Sequence, residues 1–201
     1  MCGRYYVDDE TAREIERLVR QVDERLNSPG SREMSLRAGD MHPMDLAPVL
    51  TASDRELCCR WQRWGFPGPV GKQLIINARS ESALEKRMFR ESVEHRRIVI
   101  PAAGFYEWSK NKEKNTFYRK SRPILFMAGF YNRCGEEDRF VILTTRANAS
   151  MEPIHDRMPL LLEREEIGPW IFDRDKTEAF LRREPYQLER KTEFEQMSLK
   201  F

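Results

Sequence analysis

RIVIPAAGFYEW, residues 97–108, is the stretch on which the reading of this chain turns. Residues 97–101 and 104–108 are short runs of β-branched, aliphatic and aromatic side chains, the composition of strands. Only Ala102 and Ala103 part them. Working outward, the same character recurs upstream at 45–51, 56–64 and 73–78. Downstream it recurs at 115–119, 124–131, 139–145 and 158–162, with a last strand near 186–191. Helical spacing is rarer. DETAREIERLVRQVDERL (9–26) sets Ile15, Leu18, Val19, Val22 and Leu26 on one stripe, with Asp8 or Asp9 as cap and Asn27 to Gly30 as stop. SESALEKRMFRES (80–92) reads as a helix with Leu84, Met88 and Phe89 toward the core, and 163–172 and 175–183 as two short late ones. Many short strands with few helices predict an α+β fold. Its mostly antiparallel sheet curls toward a barrel, flanked by the helices.

The 201 residues suit a single domain over 1–201, with no repeat, linker or low-complexity tract. Hydrophobic residues make up 40% and charged ones 34%, enough for a core under a densely charged surface. With 35 basic residues against 33 acidic ones, a whole-molecule field cannot bring in nucleic acid, so any basic patch is local. No apolar run approaches the roughly 18 residues of a membrane span, and no export signal opens the chain. A cytoplasmic monomer is expected, nucleoid-associated if the source is bacterial. Cys2, Cys58, Cys59 and Cys134 fit reduced thiols, with Cys58 and Cys59 on opposite faces of a strand. His42, His95 and His155 lack ligand spacing, so neither a metal nor a cofactor is expected.

Cys2 follows the initiator methionine. Removal of Met1 would leave an α-amine and a thiol on neighbouring carbons, a pair no internal cysteine offers. INARSE (76–81) sets Asn77 and Arg79 on one face of an extended segment, where an amide and a guanidinium can hold an anion. On its own this reads better as a helix start capped by Ser80 or Ser82. In PAAGFYEWSK (101–110), strand alternation puts Phe105 and Glu107 on one face. A carboxylate against aromatic walls suits acid–base work; a solvated edge glutamate fits the pattern equally. PIHDRMP (153–159) places His155 in an irregular segment between strands, either a mounted catalytic group or an exposed loop histidine. Arg157 adds a cation of phosphate-binding type.

Together MCGR at the start, WG at 64–65, INAR at 76–79, GFYEW at 104–108 and IHDRMP at 154–159 stand in an order and spacing that resembles the SRAP family. These are the SOS-response-associated peptidases, also called abasic-site processing proteins. The resemblance runs from Cys2 to about Leu162. It implies a sensor in the DNA damage response that links covalently to abasic sites in single-stranded DNA through a thiazolidine on Cys2. It also implies that Glu107 moves protons during imine formation, that His155 assists sugar ring opening and reversal, and that Asn77 holds Cys2. Arg4 and Arg79, with Thr144 and Arg157, are expected to grip phosphates. Trp64 is expected among the DNA contacts, and Pro43, Val70 and Met88 form an apolar wedge between bases. Replication-fork proteins are possible partners. Two other readings remain: a thiol autopeptidase in which Cys2 removes Met1, and a non-catalytic module for single-stranded nucleic acid.

The chain departs from the family pattern in three places. DMHP (40–43) replaces N-x-A-P, and Asp40 is expected to face protein rather than DNA. FPGPVGKQ (66–73) lacks the aromatic residues many relatives carry there. The tail, 186–201, lacks an asparagine-rich segment.

Overall fold

The computed structural model describes residues 2–26, 38–69 and 73–193. The chain begins with β1 (Tyr5–Val7) and α1 (Asp9–Leu26), followed by β2 (Gly39–Met41), β3 (Leu46–Ser53) and β4 (Glu56–Trp64). The small hairpin β5 (Phe66–Pro67) and β6 (Leu74–Ile75) precedes β7 (Asn77–Arg79), a 3-10 turn at Ser80–Ser82 and α2 (Arg87–His95). Then come β8 (Arg97–Ala102), β9 (Gly104–Trp108), β10 (Lys114–Tyr118), β11 (Leu125–Cys134) and β12 (Glu137–Arg146). β13 (Arg157–Pro159), β14 (Leu161–Leu162), α3 (Ile167–Phe172), α4 (Thr177–Arg182) and β15 (Glu189–Glu193) complete the order.

Five strands close on themselves. β4 pairs with β3, β3 with β8, β8 with β11 and β11 with β12, all antiparallel. β12 then returns to β4 in parallel, at Arg139↔Arg63 and Phe140↔Trp64. Closure removes the open edges that the central strands would otherwise present. The fold is α+β with a mixed barrel core, as the strand-rich pattern predicts. β8 is buried along its whole length, which explains why RIVIPA does not alternate. The barrel lies on one side of it, and α3 on the other, where Trp170 Nε1 donates to the Ile98 carbonyl at 2.9 Å.

The second sheet runs β15-β10-β9-β1-β2. β8 and β9 are separated by Ala103 alone and lie in different sheets, so RIVIPAAGFYEW is the seam between them. Gly104 sits on that seam because a Cβ there would lie 2.6 Å from Tyr6 Cε1 and would also strike the Phe117 carbonyl. α1 starts on the Asp8 side chain, which accepts from the Thr11 amide at 2.7 Å.

Several elements differ from the sequence reading. The run 80–92 is not one helix, because Lys86 is extended (φ −77°, ψ 117°) and splits the 3-10 turn from α2. Neither Ser80 nor Ser82 caps α2, whose start carries no side-chain cap. Phe89 is buried, whereas Met88 is 48% exposed and not on the core side. The stretch 158–162 divides at Leu160, whose backbone bonds to Leu143 and Ala128 instead of staying in one ladder. β1, β2 and β5 were not expected. The helix stop at 27–30 and Val70 lie outside the described residues. Among the described residues, no helix is long and apolar enough to cross a membrane.

Candidate active site around Cys2

The pairing of β1 with β9 builds the site. Tyr5 sits opposite Phe105, and the Tyr106 amide donates to the Arg4 carbonyl at 3.0 Å. Residues 2–4 are thereby laid beside the outer half of β9, which carries Glu107. Cys2 is 1% exposed, with its Sγ 3.8 Å from the Arg4 carbonyl oxygen. Asn77 Nδ2 donates to the Cys2 carbonyl at 2.9 Å. Burial, and then the charge of Glu107, push the Cys2 thiol up to about 12. At neutral pH this sulfur is a thiol, not a thiolate.

Glu107 is itself only 5% exposed and faces Asn115 across the β9–β10 ladder. Asn115 is fully buried, and its amide is fixed by the Glu113 carbonyl and the Thr192 hydroxyl. Phe105 stacks on Phe117 on the same face, as strand alternation predicts. Tyr106 and Trp108 occupy the opposite face. Tyr106 stacks on Tyr6 with centroids 5.2 Å apart and donates to Asp40 Oδ1 at 2.9 Å. Arg4 lies 3.7 Å from the same carboxylate and 5.4 Å from the Trp108 ring centre. Asp40 is thus exposed on β2 yet engaged by both Tyr106 and Arg4.

β12 carries the second wall. β7 runs parallel to it with Asn77 opposite Ile142 and Arg79 opposite Thr144, while β13 pairs on its other edge. Arg79 is exposed. Arg157 is not: its side chain is 7% exposed, and its guanidinium grips Glu81 with both terminal nitrogens at 2.6 and 2.8 Å. The same Nη2 donates to the Thr144 carbonyl at 2.6 Å. Burial works against the Glu81 charge, but the Arg157 bonds and charge outweigh it, and the carboxyl is held below its usual range. His155 Nδ1 lies 2.9 Å from the Arg157 amide, which donates to it, and 2.9 Å from Asp156 Oδ1.

The expected DNA contacts divide by exposure. Arg4 and Arg79 reach solvent, Pro43 is half-buried, and Met88 is exposed. Thr144 is fully buried, and Arg157 is occupied by Glu81. Trp64 is fully buried and cannot touch a strand of DNA in this structure. Its ring packs on Tyr5 and Phe140, and its Nε1 donates to the Ile76 carbonyl at 3.0 Å, directly before Asn77. It supports the site from beneath. Sequence reasoning assigned no role to Glu81, although INARSE contains it. Met44, in the loop after β2, is 42% exposed and held at φ 79° by bonds with Trp64 and Arg63.

A family model described as SOS response associated peptidase (SRAP) matches residues 1–199. The chain is 31% identical over 190 residues to the abasic site processing protein YedK of Escherichia coli, covering 85% of this chain and 79% of that protein. It is 35% identical over 142 residues to the abasic site processing protein YoqW of Bacillus subtilis, covering 62% of each. Its fold is similar to that of a phage-related protein from Bordetella bronchiseptica, with a TM-score of 0.75 at 21% identity over 96% of this chain and 95% of that one. A family match of that extent decides membership: the chain belongs to the SOS response associated peptidase family.

Proposed function

We propose that this protein captures abasic sites in single-stranded DNA by forming a thiazolidine on Cys2. The similarity to the abasic site processing proteins YedK and YoqW supports the substrate. The observation that carries the chemistry is the setting of Cys2: carbonyl held by Asn77, thiol neutral, Glu107 beside it. Once Met1 is gone, the α-amine adds to the C1′ aldehyde of the opened sugar. The resulting carbinolamine loses water to give an imine, and the sulfur then adds to the imine carbon. The thiol proton ends on nitrogen, so the whole sequence releases one water. An α-amine with an ordinary pKa of about 7.7–8.0 is partly neutral near pH 7. The thiol is protonated there, so the amine attacks first.

Glu107 takes the proton from the attacking amine and returns it to the departing hydroxyl, which needs a carboxylate fixed within reach of both. His155 assists opening of the sugar ring and reversal of the link. Arg4 and Arg79 hold the phosphates flanking the lesion, contacts that position a strand without reading its sequence. Arg157 and Thr144, engaged with one another and Glu81, serve from behind. Pro43 and Met88 present apolar surface to the neighbouring bases.

A thiol raised to about 12 counts against the peptidase reading, because a thiol peptidase needs its sulfur as a thiolate at neutral pH. The deciding experiment incubates Met1-free protein, and separately protein that retains Met1, with abasic single-stranded DNA. The processed form should give a band stable to heat and detergent, and the Met1-bearing form none. Peptide cleavage without such a band would favour the peptidase. A complex lost on denaturation would favour a binding module.

A further inference from the structure

We propose that Glu81 is a positioning residue of this site, setting the placement of His155 through Arg157. The proposal rests on the reading of His155 as the group that assists sugar ring opening. Arg157 spans β12 with its side chain almost wholly enclosed, and an arginine cannot shed its proton to escape burial. Its charge must be met in place. Glu81 meets it with both carboxylate oxygens, at 2.6 and 2.8 Å, while Thr144 accepts from the same Nη2 at 2.6 Å. This two-pronged geometry fixes the plane of the guanidinium as well as its position.

The backbone of the same residue holds the histidine. The Arg157 amide donates to His155 Nδ1 at 2.9 Å. That contact ties the Nδ1 edge of the ring to the backbone at the start of β13. Asp156 Oδ1 lies at the same 2.9 Å from Nδ1, so both neighbouring residues hold that edge of the ring. One residue therefore links Glu81, at the end of INARSE, to His155, in PIHDRMP. Without the carboxylate, a buried cation loses its counter-charge and Arg157 must move, carrying the amide that orients the ring.

The test measures adduct formation by Met1-free wild type, Glu81→Gln, Glu81→Asp and His155→Gln proteins and the Glu81→Gln/His155→Gln double variant. Two aldehydes are compared: abasic single-stranded DNA, whose sugar must open, and propanal, which has no ring. Glu81→Gln should slow the DNA reaction by roughly 10- to 100-fold, the scale of a misplaced catalytic group, and leave the propanal rate within about twofold. In the His155→Gln background it should cost nothing further, and Glu81→Asp should recover part of the rate. An unchanged DNA rate, an equal loss with propanal, or additive losses in the double variant would each overturn the proposal. Should Glu81→Gln fail to fold, Glu81→Asp paired with His155→Gln gives the same test of additivity. A wild type that forms no adduct with DNA would instead overturn the functional reading beneath it.

Discussion

With Met1 removed, Cys2 would offer two nucleophiles on neighbouring carbons, and substitution separates them. Processed Cys2→Ser protein keeps the amine but replaces sulfur with oxygen, whose ring-closed product hydrolyses readily. It should give little heat-stable adduct, yet borohydride should still trap it on abasic DNA by reducing the imine. Absence of trapping would mean that no imine forms. Glu107→Gln preserves size and removes proton transfer, so the adduct rate should fall by roughly 10²–10⁴-fold in single-turnover kinetics. A near-normal rate in a folded protein would remove Glu107 from the chemistry. The depressed carboxyl of Glu81 also has a consequence for stability. A group whose folded pKa lies below its unfolded value of about 4.3 contributes fully above that value and loses its contribution as pH falls through the folded one. Wild-type protein should therefore lose more stability than Glu81→Gln on acidification below about pH 4.3, read by urea midpoints across that range.

Among the elements, α2 and α3 share one terminator. Arg97, the first residue of β8, donates from Nη1 to the Val93 and Glu94 carbonyls at 2.9 and 2.7 Å. Its Nε and Nη2 reach the Trp170 and Ile171 carbonyls. Those are the last-turn carbonyls that a helix leaves without internal partners, and a cation there also opposes the helix dipole. Burial and the nearby Arg174 hold the Arg97 guanidinium below its usual range, but it stays charged. Arg97→Met fills a similar space and satisfies none of these carbonyls. It should lower stability by roughly 2–4 kcal/mol, seen as a lower urea midpoint with little change in slope. Both helices pack on β8, so the loss should appear in global unfolding and not as fraying of one helix.

Over the whole molecule, the near balance of charge would leave the proposed DNA binding to a few local cations. Arg79 is the clearest of these, exposed at the end of β7 two residues from Asn77. If it neutralises one phosphate, Arg79→Ala should weaken non-covalent binding of single strands and reduce the log–log salt slope by about 0.7. An unchanged slope would make the arginine structural. The barrel supplies the rigid support for this arrangement. β12 touches β4, β7, β11 and β13, so one strand fixes the placement of Asn77, Arg79 and Arg157 together.

Local sequence pattern reached as far as the individual elements. The run 56–64 is β4 to the residue, and the runs 97–101 and 104–108 are β8 and β9 to within a residue, because composition and alternation act over a few neighbours. The five motifs likewise marked the family. Tertiary structure alone decided what depends on distant partners. β1 and β2 are too short to stand without β9, and nothing local in Gly39–Met41 marks a strand. Trp64 turns inward because the parallel return of β12 places Phe140 opposite it. Arg157 is withheld from solvent by Glu81, 76 residues away, and no pattern of nearby residues records that pairing. Burial of a cation is settled by where its counter-charge arrives, and only the closed fold brings the two together.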